Sequence, residues 1–406
     1  MLSSSYLASC PDGLVELYSQ LENDIITDVA KRLSKLGKVT DATEYQMKIF
    51  QELGGLQSDI QSKISKYDTK VQKELLALFD EAIQKSNKTD FAQLNKVGLS
   101  DSQQQVLNAT AAKTASTGIV TGSKKVQEDV KNGFIKVFAG LQRATMTIAS
   151  SMSNEFVQQA NSAYMKVVTG AYDYKTALKQ GVDALASKGA YTVEYTDSGK
   201  QIKRSIESML RTNIMTGINQ TASQVTLSNA EKLGCNLVEV SAHLGARPEH
   251  AEWQGGIYSL NGEWTSPVTG KTYQDFNTVC KLGDPTGICG INCRHSYYPY
   301  FEEIEPEYSN GELSEMKDPK VQYEGKEITQ YEAEQKQRAI ERNIRKYKRI
   351  ADAEQIAGLE NTQARIKLGE WQSKARDFTQ QTGLRRDYSR ERIGTKDGRQ
   401  IKGLKV

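Results

Sequence analysis

Apolar positions near the start of the chain recur at spacings of three and four. Leu14, Tyr18, Leu21, Ile25, Val29, Leu33 and Leu36 fall on one helical face. Pro11-Asp12 stands at the start of this run and Gly37 just past its end, as helix capping favours. A second helix is predicted over residues 43–53, broken by Gly54-Gly55. Two more follow over 56–67 and 70–84, the last with Leu75, Leu78, Phe79 and Ile83 on one side. Residues 40–44 and Tyr67-Asp68-Thr69 read as turns that start helices. Residues 100–123 are rich in Gln, Ala, Thr and Ser, and fit a weak helix or a mobile connector equally well. Helical spacing resumes near Val126 and runs to about Leu185, interrupted near Gly170-Ala171-Tyr172.

The period then changes. Residues 191–195 alternate like a strand, and 196–200 supply a turn, which predicts a small hairpin. A long helix is predicted from about Ser205 to Leu233, stopped by Gly234, and a short strand over 237–241. From His243 to Tyr300 Gly, Trp, Tyr, Cys and His concentrate, and six of the seven prolines lie between Pro248 and Pro319. From Glu332 onward the pattern is helical again. The expected class is α+β and predominantly α-helical: long N-terminal helices, a small compact α+β domain in the middle, and basic C-terminal helices. The expected boundaries are 1–99, 100–188, 189–305 and 306–406. No repeat of fixed period occurs.

Composition narrows the function classes. A chain of 406 residues has room for two or three domains, yet its hydrophobic fraction is only 38%. Long helices with solvated faces are therefore expected. No segment reaches the roughly 18–20 apolar residues of a membrane span. Residues 1–6 have neither the basic nor the apolar part of a secretory signal, so a cytoplasmic origin is expected. Residues 336–406 hold 19 Lys/Arg against 9 Asp/Glu, so the rest of the chain is net acidic. Arg345, Lys346, Lys348 and Arg349 stand out in that basic stretch. Two readings apply to them: a solvated helix face, and contact with the phosphates of double-stranded DNA. Aromatic residues are sparse there (Tyr347, Trp371, Tyr388), against base stacking.

Five cysteines cannot all pair within one chain. Four of them, and all three histidines, fall between residues 235 and 295. His243, His250, Cys289, Cys293 and His295 are candidate zinc ligands, because zinc accepts imidazole nitrogen and thiolate sulfur. The alternative is that these side chains pack and hydrogen-bond in a small core with Trp253, Trp264, Tyr297 and Tyr298. Zinc is the one cofactor the pattern suggests. An enzyme reading meets obstacles. His250-Ala251-Glu252 matches the His-x-Glu half of zinc deaminases, but Cys289-Gly290-Ile291-Asn292-Cys293 is one residue longer than their Cys-x-x-Cys and follows Ile288, not proline. Motifs of zinc peptidases, serine hydrolases and P-loop ATPases are absent.

Residues 243–255, His-Leu-Gly-Ala-Arg-Pro-Glu-His-Ala-Glu-Trp-Gln-Gly, resemble the signature of the phage minor capsid protein 2 family, related to the Mu F-like head morphogenesis proteins. Residues 289–299, Cys-Gly-Ile-Asn-Cys-Arg-His-Ser-Tyr-Tyr-Pro, are similar to the closing element of that family. Arg211-Thr212-Asn213 and residues 216–221 resemble its preceding helix, and residues 331–348 its following basic helix. Between the halves, Val279 to Pro285 replaces the usual Gly/Tyr-rich turn. The matching signature positions are Arg247, Pro248, Trp253, Gln254, Gly255, Asn292 and Arg294. The resemblance implies a structural protein of a tailed phage and not an enzyme. Its expected place is the head interior near the portal vertex, after assembly in the host cytoplasm. Expected partners are the portal protein, bound through residues 1–185, other head proteins and packaged DNA, with no membrane and no small-molecule substrate. A zinc hydrolase or deaminase-like enzyme and a virion-carried host effector are the alternatives.

Overall fold

In the computed structural model, residues 2–37, 41–97, 124–197, 200–395 and 398–404 are described. A short helix α1 (Ser4–Ser9) leads into α2 (Asp12–Lys35), which buries Leu14, Tyr18, Leu21, Ile25, Val29 and Leu33 on the face expected. Gly37 follows with φ 71°, a left-handed conformation that ends a helix at no side-chain cost.

The next helix differs from expectation. Helix α3 runs unbroken from Ala42 to Val97, about 84 Å at 1.5 Å per residue. Asp41 starts it, its carboxylate accepting the Glu44 N–H at 3.0 Å. Neither Gly54-Gly55 nor Tyr67-Asp68-Thr69 interrupts it. Tyr45, Ile49, Leu56, Ile60, Val71, Leu75, Phe79 and Ile83 are buried along its length. That packing outweighs a cost of about 1 kcal/mol per helical glycine. Gly55 also has a contact to make: a Cβ there would lie 2.9 Å from Nη1 of Arg32, whose guanidinium holds the Glu52 carboxylate at 2.6 Å. Residues 98–123, which include the Gln/Ala/Thr/Ser stretch, lie outside the described residues.

Helix α4 (Lys124–Val168) buries Val137, Leu141, Ala144, Ile148, Met152 and Phe156, and α5 (Tyr174–Lys188) follows the expected break. Asp173 caps α5 through the Thr176 N–H at 3.1 Å. The hairpin forms, β1 (Tyr191–Asp197) pairing antiparallel with β2 (Lys200–Ser205). Helix α6 (Ile206–Lys232) is buried on nearly every side, with Leu210, Ile214, Ile218, Asn219, Ala222 and Val225 all covered. It lies between the helical body and the Cys/His window.

That window folds on a three-stranded antiparallel sheet of order β4-β3-β7: β3 (Leu237–Val240) is central, flanked by β4 (Ile257–Ser259) and β7 (Tyr297–Tyr300). The short α7 (Pro248–Ala251) precedes β4. The pair β5 (Trp264–Thr265) and β6 (Thr272–Tyr273) and helix α8 (Phe276–Cys280) lie between β4 and β7. Alternation along β3 builds two small cores. Val238, Val240, Trp253, Phe276 and Tyr297 share one; Leu237, Tyr273 and Tyr300 share the other, with Trp264 packed on it. The four aromatic residues expected to share a core are therefore divided between clusters.

Beyond it come α9 (Asn310–Lys317), a second hairpin of β8 (Lys320–Tyr323) and β9 (Lys326–Thr329), and a helical pair, α10 (Gln330–Ile356) with α11 (Thr362–Thr382). A capping box of Thr329 and Glu332 starts α10. The basic segment is not helical throughout: among the described residues after Gly383, at φ 71°, the one helical element is a 3-10 turn, Ser389–Glu391. It returns to α2, where the Gly394 N–H donates to Ser19 Oγ at 3.0 Å. The predominantly α-helical α+β class expected from the pattern is the class observed. No helix among the described residues is long and apolar enough to cross a membrane.

Candidate metal centre and basic surface

Strand β3 runs toward His243, α7 presents His250, and the loop before β7 presents Cys293 and His295. The loop needs unusual backbone. Cys289 and Asn292 adopt left-handed conformations, φ 56° and 57°. Gly290 turns so closely that a Cβ would lie 2.5 Å from the Pro285 carbonyl oxygen. Asn292 accepts the Thr212 hydroxyl at 2.8 Å, and Asn219 donates to the carbonyls of Cys293 at 3.2 Å and His295 at 2.8 Å. Helix α6 thus holds the loop from below.

Three ligand atoms converge. His250 Nδ1 lies 3.4 Å from His295 Nδ1, and Cys293 Sγ lies 3.6 Å from the first and 3.7 Å from the second. All three residues are buried. His243 and Cys289 do not join this group. His243 stacks on His295 with ring centroids 4.3 Å apart and its Nδ1 meets the Leu244 carbonyl. Cys289 sits deeper, toward Ser223 and Tyr297. Burial pushes the imidazoles of His250 and His295 below their ordinary range, helped at His295 by His243 and His250 and at His250 by Arg247. Burial also raises the Cys293 thiol.

The signature residues surround these atoms. Arg247 donates to the Ile291 carbonyl at 3.2 Å, and Pro248 opens α7, where its missing N–H costs nothing. Trp253 lies over His250 and His295, ring centroids 4.5 and 4.9 Å away. Gln254 Oε1 accepts the His243 N–H at 3.0 Å and faces His295 Nε2 at 3.1 Å. Gly255 turns at φ 68°. Arg294 pairs with Glu334 at 3.1 Å, tying the loop to α10. Glu252, the deaminase-like general base, is exposed and pairs with Lys317 at 2.7 Å. It is not part of the His/Cys cluster. Two contributions were not foreseen: the role of Asn219, which lies in the family-like stretch 216–221 but was given no contact, and the Thr286 carbonyl, 2.7 Å from His250 Nε2.

The basic candidates fall differently. Arg345 pairs with Glu207 and donates to the Arg390 carbonyl. Burial works against the Glu207 charge, but Arg345 and Arg211 hold its carboxyl below the ordinary range. Lys348 is buried and donates to the Glu391 carbonyl at 2.8 Å, and Arg349 donates to the Ala186 carbonyl at 3.2 Å. Three of the four thus serve internal contacts. Lys346 lies over the Tyr347 ring at 5.5 Å and, with Arg342 and Arg392, lines a cavity of about 600 Å³ beside α2 and α6.

The chain matches the family described as phage minor capsid protein 2 over residues 2–380. It is 25% identical over 383 residues to a structural protein of Lactococcus phage LL-H, covering 91% of this chain and 93% of that one. It is 33% identical over 114 residues to a structural protein of Lactococcus phage mv4, covering 27% of this chain and 85% of the relative. No solved structure matches it significantly. A match from the second residue to the last turn of α11, enclosing both halves of the Cys/His window, leads to one conclusion: the chain belongs to the phage minor capsid protein 2 family.

Proposed function

We propose that this protein is a non-enzymatic component of the phage head, docked on the portal at its vertex through the helical body and acting in head morphogenesis. The observation that carries this reading is an apolar end of that body. Met47 and Phe50 near the start of α3 are 59% and 70% exposed, and Met165 and Val168 at the end of α4 are each 56% exposed. The two ends lie together, because Tyr45 stacks on Tyr164 at 5.3 Å and Gln46 donates to Asn161 at 3.1 Å. Exposed apolar side chains at the same end of the helical body suit a protein partner, here a helical assembly of the head. Glu252, exposed and paired with Lys317, stands outside the His/Cys cluster, against the deaminase-like alternative. The basic lining around Arg342, Lys346 and Arg392 suits the phosphate backbone of packaged DNA as a secondary contact.

The test uses the full-length chain, since α6 and α10 complete the core of residues 1–185. Co-expressed with the portal of the same phage, the native chain co-purifies with it. The double variant Met47→Glu, Phe50→Glu keeps its melting temperature and loses the portal. Retention at the native level would sink this docking surface.

A further inference from the structure

We infer that His250, Cys293 and His295 hold one zinc ion, with Nδ1 of each histidine and the Cys293 thiolate as its three protein ligands. The inference stands apart from the portal reading, and either can fail without the other.

The protons on the two imidazoles can be placed from their partners. At His250 Nε2 two groups compete: the Thr286 carbonyl at 2.7 Å, which only accepts, and the Arg247 guanidinium at 3.1 Å, which only donates. The carbonyl is nearer, and a bare nitrogen there would set two lone pairs against each other. His250 Nε2 therefore carries the proton. Arg247 has the Ile291 carbonyl as its own acceptor. At His295 the partner is Gln254, whose amide cannot be turned round. Its oxygen accepts the His243 N–H, and its nitrogen donates to the Met316 carbonyl at 3.4 Å. His295 Nε2 must donate to that oxygen.

Both Nδ1 atoms are then bare, and they face each other at 3.4 Å in a buried site. The Cys293 thiol has one proton and can satisfy one of them. A cation satisfies both, and the donors on the far nitrogens are the outer hydrogen bonds that orient metal-bound histidines.

Distance makes the same point independently. A tetrahedral zinc with Zn–N of about 2.05 Å and Zn–S of about 2.3 Å has an N···N edge of about 3.3 Å and N···S edges of about 3.6 Å. The three separations here are 3.4, 3.6 and 3.7 Å. Two nitrogens and a thiolate, without a carboxylate in the cluster, select zinc over magnesium or calcium. The ion would pin α7 to the loop before β7. Cys289 and His243 lie outside the cluster, so these three side chains are the protein ligands assigned among the described residues.

Full-length protein purified in reducing buffer from zinc-supplemented cells is expected to carry about one equivalent of zinc by elemental analysis, and a strong chelator to lower its Tm by roughly 5 °C or more. Cys289→Ser should keep the metal and Cys293→Ser lose at least about nine-tenths of it. Should Cys293→Ser fail to fold, the native chain decides: reloaded with cobalt, it should show the intense visible bands of a tetrahedral ion and a thiolate-to-cobalt band in the near ultraviolet. Native protein holding less than about a tenth of an equivalent after zinc titration would overturn the site, as would a pale octahedral cobalt spectrum. Equal loss of metal from Cys289→Ser and Cys293→Ser would overturn this ligand set.

Discussion

Asn219 on α6 and His295 before β7 are joined across 76 residues: the Asn219 amide donates to the His295 carbonyl at 2.8 Å. The same amide reaches the Cys293 carbonyl, and Asn219 is only 1% exposed. Asn219→Ala removes the donor from two carbonyls that water reaches poorly. The expected loss is about 1–3 kcal/mol in chemical denaturation. An unchanged midpoint would mean that the loop's own turns hold it in place.

Trp253 covers both histidines of the cluster and is 8% exposed. Trp253→Ala leaves a cavity in the small core it shares with Val240, Phe276 and Tyr297. The expected cost is about 3–5 kcal/mol, read from denaturant melts, with new proteolytic cuts in residues 241–302 appearing first. A loss below about 1 kcal/mol would show that this core does not depend on the indole.

The basic residues of α10 should separate into two behaviours. Arg345→Gln leaves Glu207 with less compensation and removes the donor to the Arg390 carbonyl, so it should lower Tm by several degrees. Arg342→Gln with Lys346→Gln should leave Tm unchanged and flatten the salt dependence of DNA binding by up to about two phosphate contacts. Equal stability of the two proteins would contradict the internal role assigned to Arg345.

Glu341 sets a pH dependence. Burial pushes its carboxyl up to about 7; Arg390 and Arg345 pull against that shift, while Asp387 and Glu207 add to it. The unfolded group ionises near 4.5, so between these values the folded chain binds more protons. Its contribution to stability is complete below about pH 4.5 and is lost as pH rises through 7. Glu341→Gln should remove this slope and, at pH 8, stabilise the protein by roughly 1–3 kcal/mol. Parallel stability curves for the two proteins between pH 5 and 8 would refute the assignment.

Much of the fold could be read from the chain because period and punctuation agree. The α2 stripe, the break near Gly170, the stop at Gly234 and strand β3 all appear close to where spacing and caps put them. Gly54-Gly55 misled because local propensity is weak beside a buried face that continues through it. The candidate site was legible as a neighbourhood and not as a ligand set. Spacing could not separate Cys289 from Cys293, since their divergence depends on left-handed backbone at Cys289 and Asn292. Nor could it show that Arg345 and Lys348 turn inward, because charge runs say nothing of the carbonyls and the carboxylate that await them across the fold.

The closure between Gly394 and Ser19 spans 375 positions, and the Leu2 carbonyl accepts the Ser296 hydroxyl across 294. A ribosome therefore releases α1 and α2 long before the segments that cover them exist. Early in translation this helical pair waits with its far side bare, and its final packing awaits the synthesis of residues near Gly394. Loop closure over such distances is slow, so nascent chains crowded on one message are exposed to mispairing during that interval. Truncating the message before residue 390 should yield a chain that chaperones retain.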